Sequence, residues 1–327
     1  MKSEPKVSIV LVNWNRFKDS IECIESILKS SYSNFEIIVV DNNSSDASVD
    51  SMISWAEGHS QVFSNPDSAS KSRIKLHVHS ANDYFISDDP IKKCDLNDID
   101  LHIIKAPRNG GFGYGNNLAL KFIDLKSKVD YIWLINNDTV VLIDSMALMV
   151  ECASQHMGII GSTLFFYDDK NKVQAYGGGY FSRLTGISRT ESKKIPTHLD
   201  FINGASLMMS RDVFKKTGYF DESIFLYYEE FDYCFRAAKL GYGCFLSDAV
   251  VYHKHGASSN HLDDSFAWEH VLKNKPYVLK KNFGYGLWTI IHFFTIFFSA
   301  VGLTASQGKK KASRIYLTNC FLNFFYN

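Results

Sequence analysis

The 327-residue chain has no excess charge of either sign, with 35 Lys plus Arg against 35 Asp plus Glu. Without a basic excess it lacks the electrostatic footprint of a nucleic-acid binder. Cysteine is sparse and scattered: Cys23, Cys94, Cys152, Cys234, Cys244 and Cys320 include no C-x-x-C pair. That spacing argues against a cysteine zinc site and a disulfide framework, and it suits a reducing compartment. The opening Met1-Lys-Ser-Glu-Pro-Lys6 lacks the apolar centre of a signal peptide, so cytoplasmic residence is expected. No internal repeat is visible. No G-x-G-x-x-G fingerprint follows the first strand, which disfavours a dinucleotide oxidoreductase.

What is present points to a large α/β domain. Hydrophobic residues make up 46% and charged residues 21%, enough for a sizeable core and against global disorder. Val7–Trp14, Phe35–Val40, Leu101–Ala106 and Tyr131–Ile135 read as strands. Helical spacing covers Asp19–Lys29 and Tyr114–Leu125, and a short helix through Trp55 follows Asn42-Asn-Ser-Ser-Asp46, with Asp46 as its cap. Strands alternating with helices predict βαβ units and a mostly parallel central sheet flanked by helices. Residues 57–98 interrupt the pattern and read as a polar insertion, with an acceptor-contacting flap as the sharper alternative. Further strands are expected over Gly158–Phe166, Ala175–Tyr180, Phe201–Met209 and Gly243–His253, and a helix over Glu229–Leu240.

Chemistry concentrates at element ends. Tyr131-Ile-Trp-Leu-Ile135 is apolar throughout and stops at Asn136-Asn-Asp138. A run of that kind reads as a strand buried on both faces. Ligands of open α/β sheets bind outside the carboxyl ends of such strands. Asp138 is therefore a candidate oxygen ligand for a divalent cation. Asp41 ends the second strand, where a carboxylate can accept from a base or ribose or simply cap the next helix. Arg108-Asn-Gly-Gly-Phe-Gly-Tyr-Gly-Asn-Asn117 follows the third strand, and its glycines permit close backbone approach to a ligand. Arg108 can pair with a phosphate or with a surface acid.

Glu229, Glu230 and Asp232 fall in the first turn of a helix behind Phe225, Tyr227 and Tyr228. The helix dipole favours acids there. Crowding also raises one carboxyl pKa toward the range useful to a general base. Asp232 with Arg236 is an i,i+4 pair and reads as structural. Val250-Val-Tyr-His-Lys-His255 ends a strand with two histidines, whose value depends on proximity to Asp138.

These segments, in this order, resemble the family 2 inverting glycosyltransferases with the GT-A fold, and within them the rhamnosyltransferase-like branch. The matching stretches are Val7–Asn15, Val39–Asp46, Arg108–Asn117, Leu134–Asp138, Gly218–Arg236 and Val251–Ser258. The resemblance implies a GT-A catalytic domain over residues 1–265 and a sugar, rhamnose among the candidates, moved with inversion from a dTDP- or UDP-linked donor. It gives Asp41 the nucleotide base and Asp138 the divalent metal, Mn2+ or Mg2+, with His253 joining the metal site. Asn13, Asn43, Arg108, Asn109, Gly110, Asn116 and Asn137 are implied along the nucleotide-sugar pocket. Glu229-Glu230-x-Asp232 matches a pattern usually written Glu-Asp-x-Asp, whose second acid is the base. Glu230 holds that place, with Glu229 beside it. Two departures stand out: Asn136 replaces the first acid of an Asp-x-Asp metal motif, and the base is Glu rather than Asp. Asn136 motivates a second reading, a catalytically weak relative binding nucleotide sugar or glycan within a larger assembly. A nucleotidyltransferase lacks support, because no Gly-rich phosphate loop follows the first strand.

Residues 266–327 form a tail of different character. Gly284–Thr304 contains no formally charged residue, with Lys280 and Lys281 before it and Lys309, Lys310 and Lys311 after. Its length just suffices to span a bilayer. An interfacial helix with lysines on anionic headgroups, and helices closing the core, are the alternatives. The expectation is a hydrophobic helical tail on the inner face of the cell membrane, near a glycan or lipid-linked acceptor in cell-surface polysaccharide synthesis.

Overall fold

The computed structural model describes residues 4–59, 74–82, 99–126, 128–183, 187–254 and 264–284. The first half follows the expected alternation: β1 (Val7–Asn13), α1 (Phe17–Leu28), β2 (Phe35–Asp41), α2 (Ser48–Ala56), β3 (Ile74–Ser80), β4 (Ile99–Lys105), α3 (Gly111–Lys126) and β5 (Tyr131–Ile135). The second half is mixed: β6 (Thr139–Val141), α4 (Ser145–Gln155), β7 (Gly158–Phe166), β8 (Val173–Tyr176), β9 (Gly178–Phe181), β10 (Ser188–Thr190), β11 (Phe201–Ile202), β12 (Ser206–Ser210), α5 (Arg211–Thr217), α6 (Glu229–Lys239), β13 (Gly243–His253) and α7 (Asp264–Phe283).

The main sheet runs β3-β4-β2-β1-β5-β12-β7-β13-β6, with β8 pairing β7. From β3 through β5 every neighbour is parallel. The antiparallel β12 separates this block from the parallel pair of β7 and β13. A small sheet, β10-β9-β11, lies beside it. Strand alternation sends Val10, Ile38, Val40 and Ile104 to a core shared with α3 and α6, whereas Ile9, Leu11, Ile37 and Val39 meet residues of α1, α2 and α4. Because β2 (FEIIVVD) is buried at every position, no polar face is visible in its sequence.

Three differences from the sequence reading stand out. Residues 74–80 are not part of a featureless insertion, since they form edge strand β3, parallel to β4. Ile74, Leu76 and Val78 alternate with Lys75, His77 and His79, a period-2 pattern masked by its polar half. The remaining residues of the 57–98 insertion, from 60 to 73 and from 83 to 98, lie outside the described residues. The strand expected over Ala175–Tyr180 breaks at Gly177, whose φ of +74° lies in the left-handed region. The small-residue break that Phe201-Ile-Asn-Gly-Ala-Ser206 brings into the apolar run over Phe201–Met209 is present at Asn203-Gly-Ala205, where Asn203 Oδ1 accepts from the Ala205 N–H at 2.9 Å. Helix α4 joins the elements the sequence did not announce.

The expected tail begins as α7, and this helix packs on the core. Val278 and Leu279 are buried, and Asn282 Nδ2 donates to Asp232 Oδ1 at 2.9 Å. Asp232 also meets Arg236 at 2.9 Å, so the i,i+4 reading holds and the acid serves as a structural junction. Residues 285–327, including the uncharged run, lie outside the described residues. Among the described residues no helix is long and apolar enough to cross a membrane.

Candidate active site

The carboxyl ends of β1 and β2 lie side by side, with Asn13 opposite Asp41 in the parallel register. Asp41 Oδ1 accepts from Asn13 Nδ2 at 2.9 Å and from Ser44 Oγ at 2.6 Å, while Oδ2 accepts from the Ser44 N–H at 3.0 Å. A carboxylate offers about four acceptor sites. Three are used, and an acceptor position remains for an outside donor. Asn13 is held in turn, since its Oδ1 accepts from Ser20 Oγ at 2.8 Å. Asn137 Nδ2 donates to the same hydroxyl at 2.9 Å, tying the end of β5 to α1. Asn43 is exposed with φ of +60°, a conformation asparagine tolerates better than most residues. Asp46 is not the cap of α2, since Ala47 holds that place; Asp46 lies one residue earlier, and its Oδ1 accepts from the Ser48 N–H at 3.0 Å in a turn leading into the helix.

A second group forms where β13 returns beside β6. Antiparallel pairing sets His253 opposite Thr139, so His253 lies next to Asp138. The Lys254 N–H donates to the Asp138 carbonyl at 3.0 Å and fixes that approach. His253 Nε2 is 3.3 Å from Asp138 Oδ1, and both residues are buried. On its other side, His253 Nδ1 lies 2.9 Å from Gln174 Oε1. An amide oxygen only accepts, so a contact to it uses Nδ1–H and turns Nε2 toward the carboxylate. The Nε2–Oδ1 separation calls for a positive charge between them, either a proton on Nε2 or a metal ion. A divalent cation on Asp138 Oδ1 and His253 Nε2 meets that need, with Gln174 orienting the ring as a metal-bound histidine usually requires.

The Gly-rich segment packs more tightly than a ligand-binding loop requires. Gly111 has φ of +87°, and a Cβ there would lie 1.9 Å from the Phe225 carbonyl oxygen. A Cβ on Gly115 would lie 2.7 Å from a Val12 methyl. The glycines therefore let α3 sit against β1 and against the loop before α6. Gly111→Ala is expected to destabilise the fold by more than the ~1–2 kcal/mol of a left-handed non-glycine backbone, because the carbonyl must also move; urea unfolding would measure this. Asn109 Oδ1 accepts from Asn42 Nδ2 at 3.0 Å, and the Gly110 N–H donates to Asn42 Oδ1 at 3.3 Å. Asn116 Nδ2 donates to the Phe112 carbonyl at 2.9 Å, within its own helix. The Arg108 guanidinium rests 4.5 Å from the centre of the Tyr114 ring, a cation–π contact at the start of α3.

The acid pair opens α6. Tyr227 and Tyr228, immediately before it, have φ of +64° and +76°. Two successive bulky residues in the left-handed region are costly and persist only where the surroundings hold them. The buried Asn274 of α7 does so, donating to the Leu226 and Tyr227 carbonyls at 2.8 and 3.1 Å. Glu229 is buried, and its Oε2 has no hydrogen-bond partner among the described residues. Burial, reinforced by the Glu230 charge, pushes its carboxyl well above the usual range. Glu230 is half-buried and pushed up to about 7, chiefly by desolvation, which outweighs the backbone N–H groups of the helix start. A Cβ on Gly204 would lie 3.9 Å from Glu230 Cβ and 3.7 Å from the Phe112 ring. The next residue, Ala205, accepts the Asn136 N–H at 3.0 Å. The small-residue turn thus links the Asn136–Asp138 edge to the Glu230 edge.

The sequence reading missed Ser20, Ser44, Gln174 and Asn274. Ser44 had a local signal, because Asp-x-x-Ser after a strand is an Asx-type turn. Gln174 and Asn274 had none, since their partners are 79 residues and about 47 residues away in sequence.

The doubly layered, mixed sheet with polar residues gathered at its carboxyl edge is a GT-A-type fold, the architecture of nucleotide-sugar transferases. Residues 5–269 match the profile described as glycosyltransferase like family 2, and the chain belongs to that family. It is 23% identical over 188 residues to rhamnosyltransferase WbbL of Escherichia coli, covering 52% of this chain and 71% of that protein. To the low-salt glycan biosynthesis hexosyltransferase Agl10 of Haloferax volcanii it is 26% identical over 144 residues, covering 43% and 47%. Among solved structures it resembles the mannosyltransferase PcManGT of Pyrobaculum calidifontis in complex with GDP-Man and Mn2+. That likeness has a TM-score of 0.54 and 14% identity, covering 99% of this chain and 82% of that one. Residues 1–349 of S. aureus TarS give a TM-score of 0.56 at 14% identity, covering 97% and 80%.

Proposed function

We propose that the protein transfers a sugar, with inversion, from a nucleoside diphosphate donor to a hydroxyl of a glycan or lipid-linked acceptor. The observation that carries this reading is the link through Gly204 and Ala205 between two unlike acidic groups. One is a buried Asp138–His253 pair suited to a cation, and the other is a carboxyl raised to about 7 at Glu230.

Each group has a distinct task in this reading. Asp41, preset by Asn13 and Ser44, accepts from the donor's base. Asn43, Arg108, Asn109, Gly110, Asn116 and Asn137 belong to the pocket, some through contact and some, like Asn116, by shaping it. Asp138 and His253 would hold the metal, Mn2+ or Mg2+. Bound there, a divalent cation supplies positive charge to the departing diphosphate. Glu230 removes the proton from the acceptor hydroxyl as that oxygen attacks the anomeric carbon from the opposite side. Inversion follows from that single displacement. Burial and the Glu230 charge raise the Glu229 carboxyl behind it, which disfavours a second buried negative charge in the site. The tail from 266 onward is proposed to bring the site to the membrane's inner face. Rhamnose in the likeness to WbbL and hexose in that to Agl10 mark the range of donor sugars to try.

Turnover of dTDP- and UDP-sugars, with and without manganese, tests the reading, alongside donor-induced rises in melting temperature. Binding without transfer to any acceptor would favour the binding-subunit alternative that Asn136 motivates. Asp41→Ala is expected to weaken nucleotide binding about 10–100-fold, the worth of one hydrogen bond to a charged group. Calorimetry with the free nucleoside diphosphate would read this, and unchanged affinity would remove Asp41 from the pocket.

A further inference from the structure

At the far edge of the sheet, the parallel register of β3 and β4 sets His77 opposite His102. Period-2 alternation puts His79 and Asp100 on the same face. His77 Nε2 lies 2.8 Å from Asp100 Oδ1, and His79 Nε2 lies 3.1 Å from His102 Nδ1. The His77 and His102 rings stack at 4.6 Å, and Phe122 of α3 closes the floor 4.9 Å from His102. His102 has no solvent exposure, yet its Nε2 has no hydrogen-bond partner among the described residues. Ligating atoms of His77, Asp100 and His102 all lie within 4.8 Å of one another. This cluster is three to four strand spacings, about 14–19 Å, from β5, which leads to Asp138.

We propose that His77, Asp100 and His102 form a second metal site, built for zinc and separate from the cation site at Asp138. The donor set carries the choice of metal. Two imidazoles and one carboxylate suit zinc, whereas Mg2+ and Ca2+ prefer all-oxygen ligands. His102 has the required second contact, because its Nδ1–H can donate to His79 Nε2 and leave the buried Nε2 lone pair for the metal. Ligand atoms around a tetrahedral zinc sit about 3.3–3.6 Å apart, given bonds of about 2.0–2.2 Å. His77 and Asp100 must therefore open slightly and His102 must draw closer, movements within reach of side-chain rotation. Side-chain exposures of 21% for His77 and 15% for Asp100 give the ion a path in and a water the fourth position. The ion would pin β3, the terminal strand of the sheet, to β4 where backbone pairing is its main described attachment.

The test is titration of the full-length, metal-stripped protein with zinc alone, without donor, followed by calorimetry and by melting temperature. Wild type is expected to bind zinc with a rise in melting temperature, and Asp138→Ala is expected to keep both. His77→Ala and Asp100→Asn, at partly exposed positions, are expected to bind at least about 10-fold more weakly, one lost ligand being worth more than 1.4 kcal/mol. Their metal-free melting temperatures should stay near wild type. Cobalt in place of zinc should give the intense visible absorption of a tetrahedral site in Asp138→Ala and lose it in His77→Ala. No zinc binding by wild type, equal affinity in His77→Ala and Asp100→Asn, or loss of binding in Asp138→Ala instead would each overturn the proposal. None of these outcomes depends on transferase activity, which is scored with donor and manganese.

Discussion

Glu230→Gln is expected to lower kcat/KM by about 10²–10⁴-fold, the usual contribution of a positioned general base. Donor affinity should change little if Glu230 serves the acceptor hydroxyl, as proposed. Two further readouts separate catalysis from folding. In wild type, kcat/KM should rise with pH and level off above about 7, as Glu230 loses its proton. The variant's residual rate should lack that inflection. Stability should move the opposite way. A carboxyl whose pKa is higher folded than unfolded contributes stability at low pH, and this is lost as pH rises through the folded value. The folded value is about 7 and the reference 4.5, so the loss runs from about pH 4.5 to above 7. Glu230→Gln removes the buried charge and should melt at a higher temperature than wild type at pH 8. A variant as active as wild type would remove Glu230 from the chemistry.

Asp138→Ala is expected to reduce turnover by about 10²–10³-fold, the scale seen when one preorganised electrostatic contact to a developing charge is lost. It should also abolish any manganese-dependent rise in melting temperature measured with the nucleoside diphosphate. His253→Ala should be milder, since Asp138 keeps its charge. Gln174→Ala should be milder still, because the ring stays but its tautomer is no longer fixed. That ranking distinguishes a ligand set from a plain ion pair, in which loss of either Asp138 or His253 would cost alike. Equal metal dependence in Asp138→Ala and wild type would move the cation elsewhere.

The parts of the site that sit at the ends of strong local patterns were readable from the sequence. The apolar run of β5 stops at Asn136-Asn-Asp138, and β2 stops at Asp41, so both carboxylates announced themselves by position. The Glu229-Glu230 pair was visible as acids clustered at a helix start. Register supplied the rest. His253 gains meaning only because β13 runs antiparallel to β6, and Gln174 only because β8 folds back on β7. The glycines at 111 and 115 look like a ligand loop in sequence. In the fold they permit α3 to press on Phe225 and Val12. Edge strand β3 was hidden because it lies inside a segment rich in Ser, Asp, Asn and Lys, and its own apolar residues alternate with Lys75, His77 and His79.

The bond from Asn274 to the Leu226 and Tyr227 carbonyls gives the protein an order of assembly. During synthesis the strands carrying Asn13 and Asp41, and the turn carrying Asp138, leave the ribosome early, and His253 follows them. The left-handed turn that aims Glu230 cannot be clamped until Asn274 emerges. Chains emerge from the N-terminus at the pace of translation, so a nascent polypeptide, or one ended before residue 274, would lack the clamp on that turn. Its Glu230 would not be held for the proposed task until α7 docks.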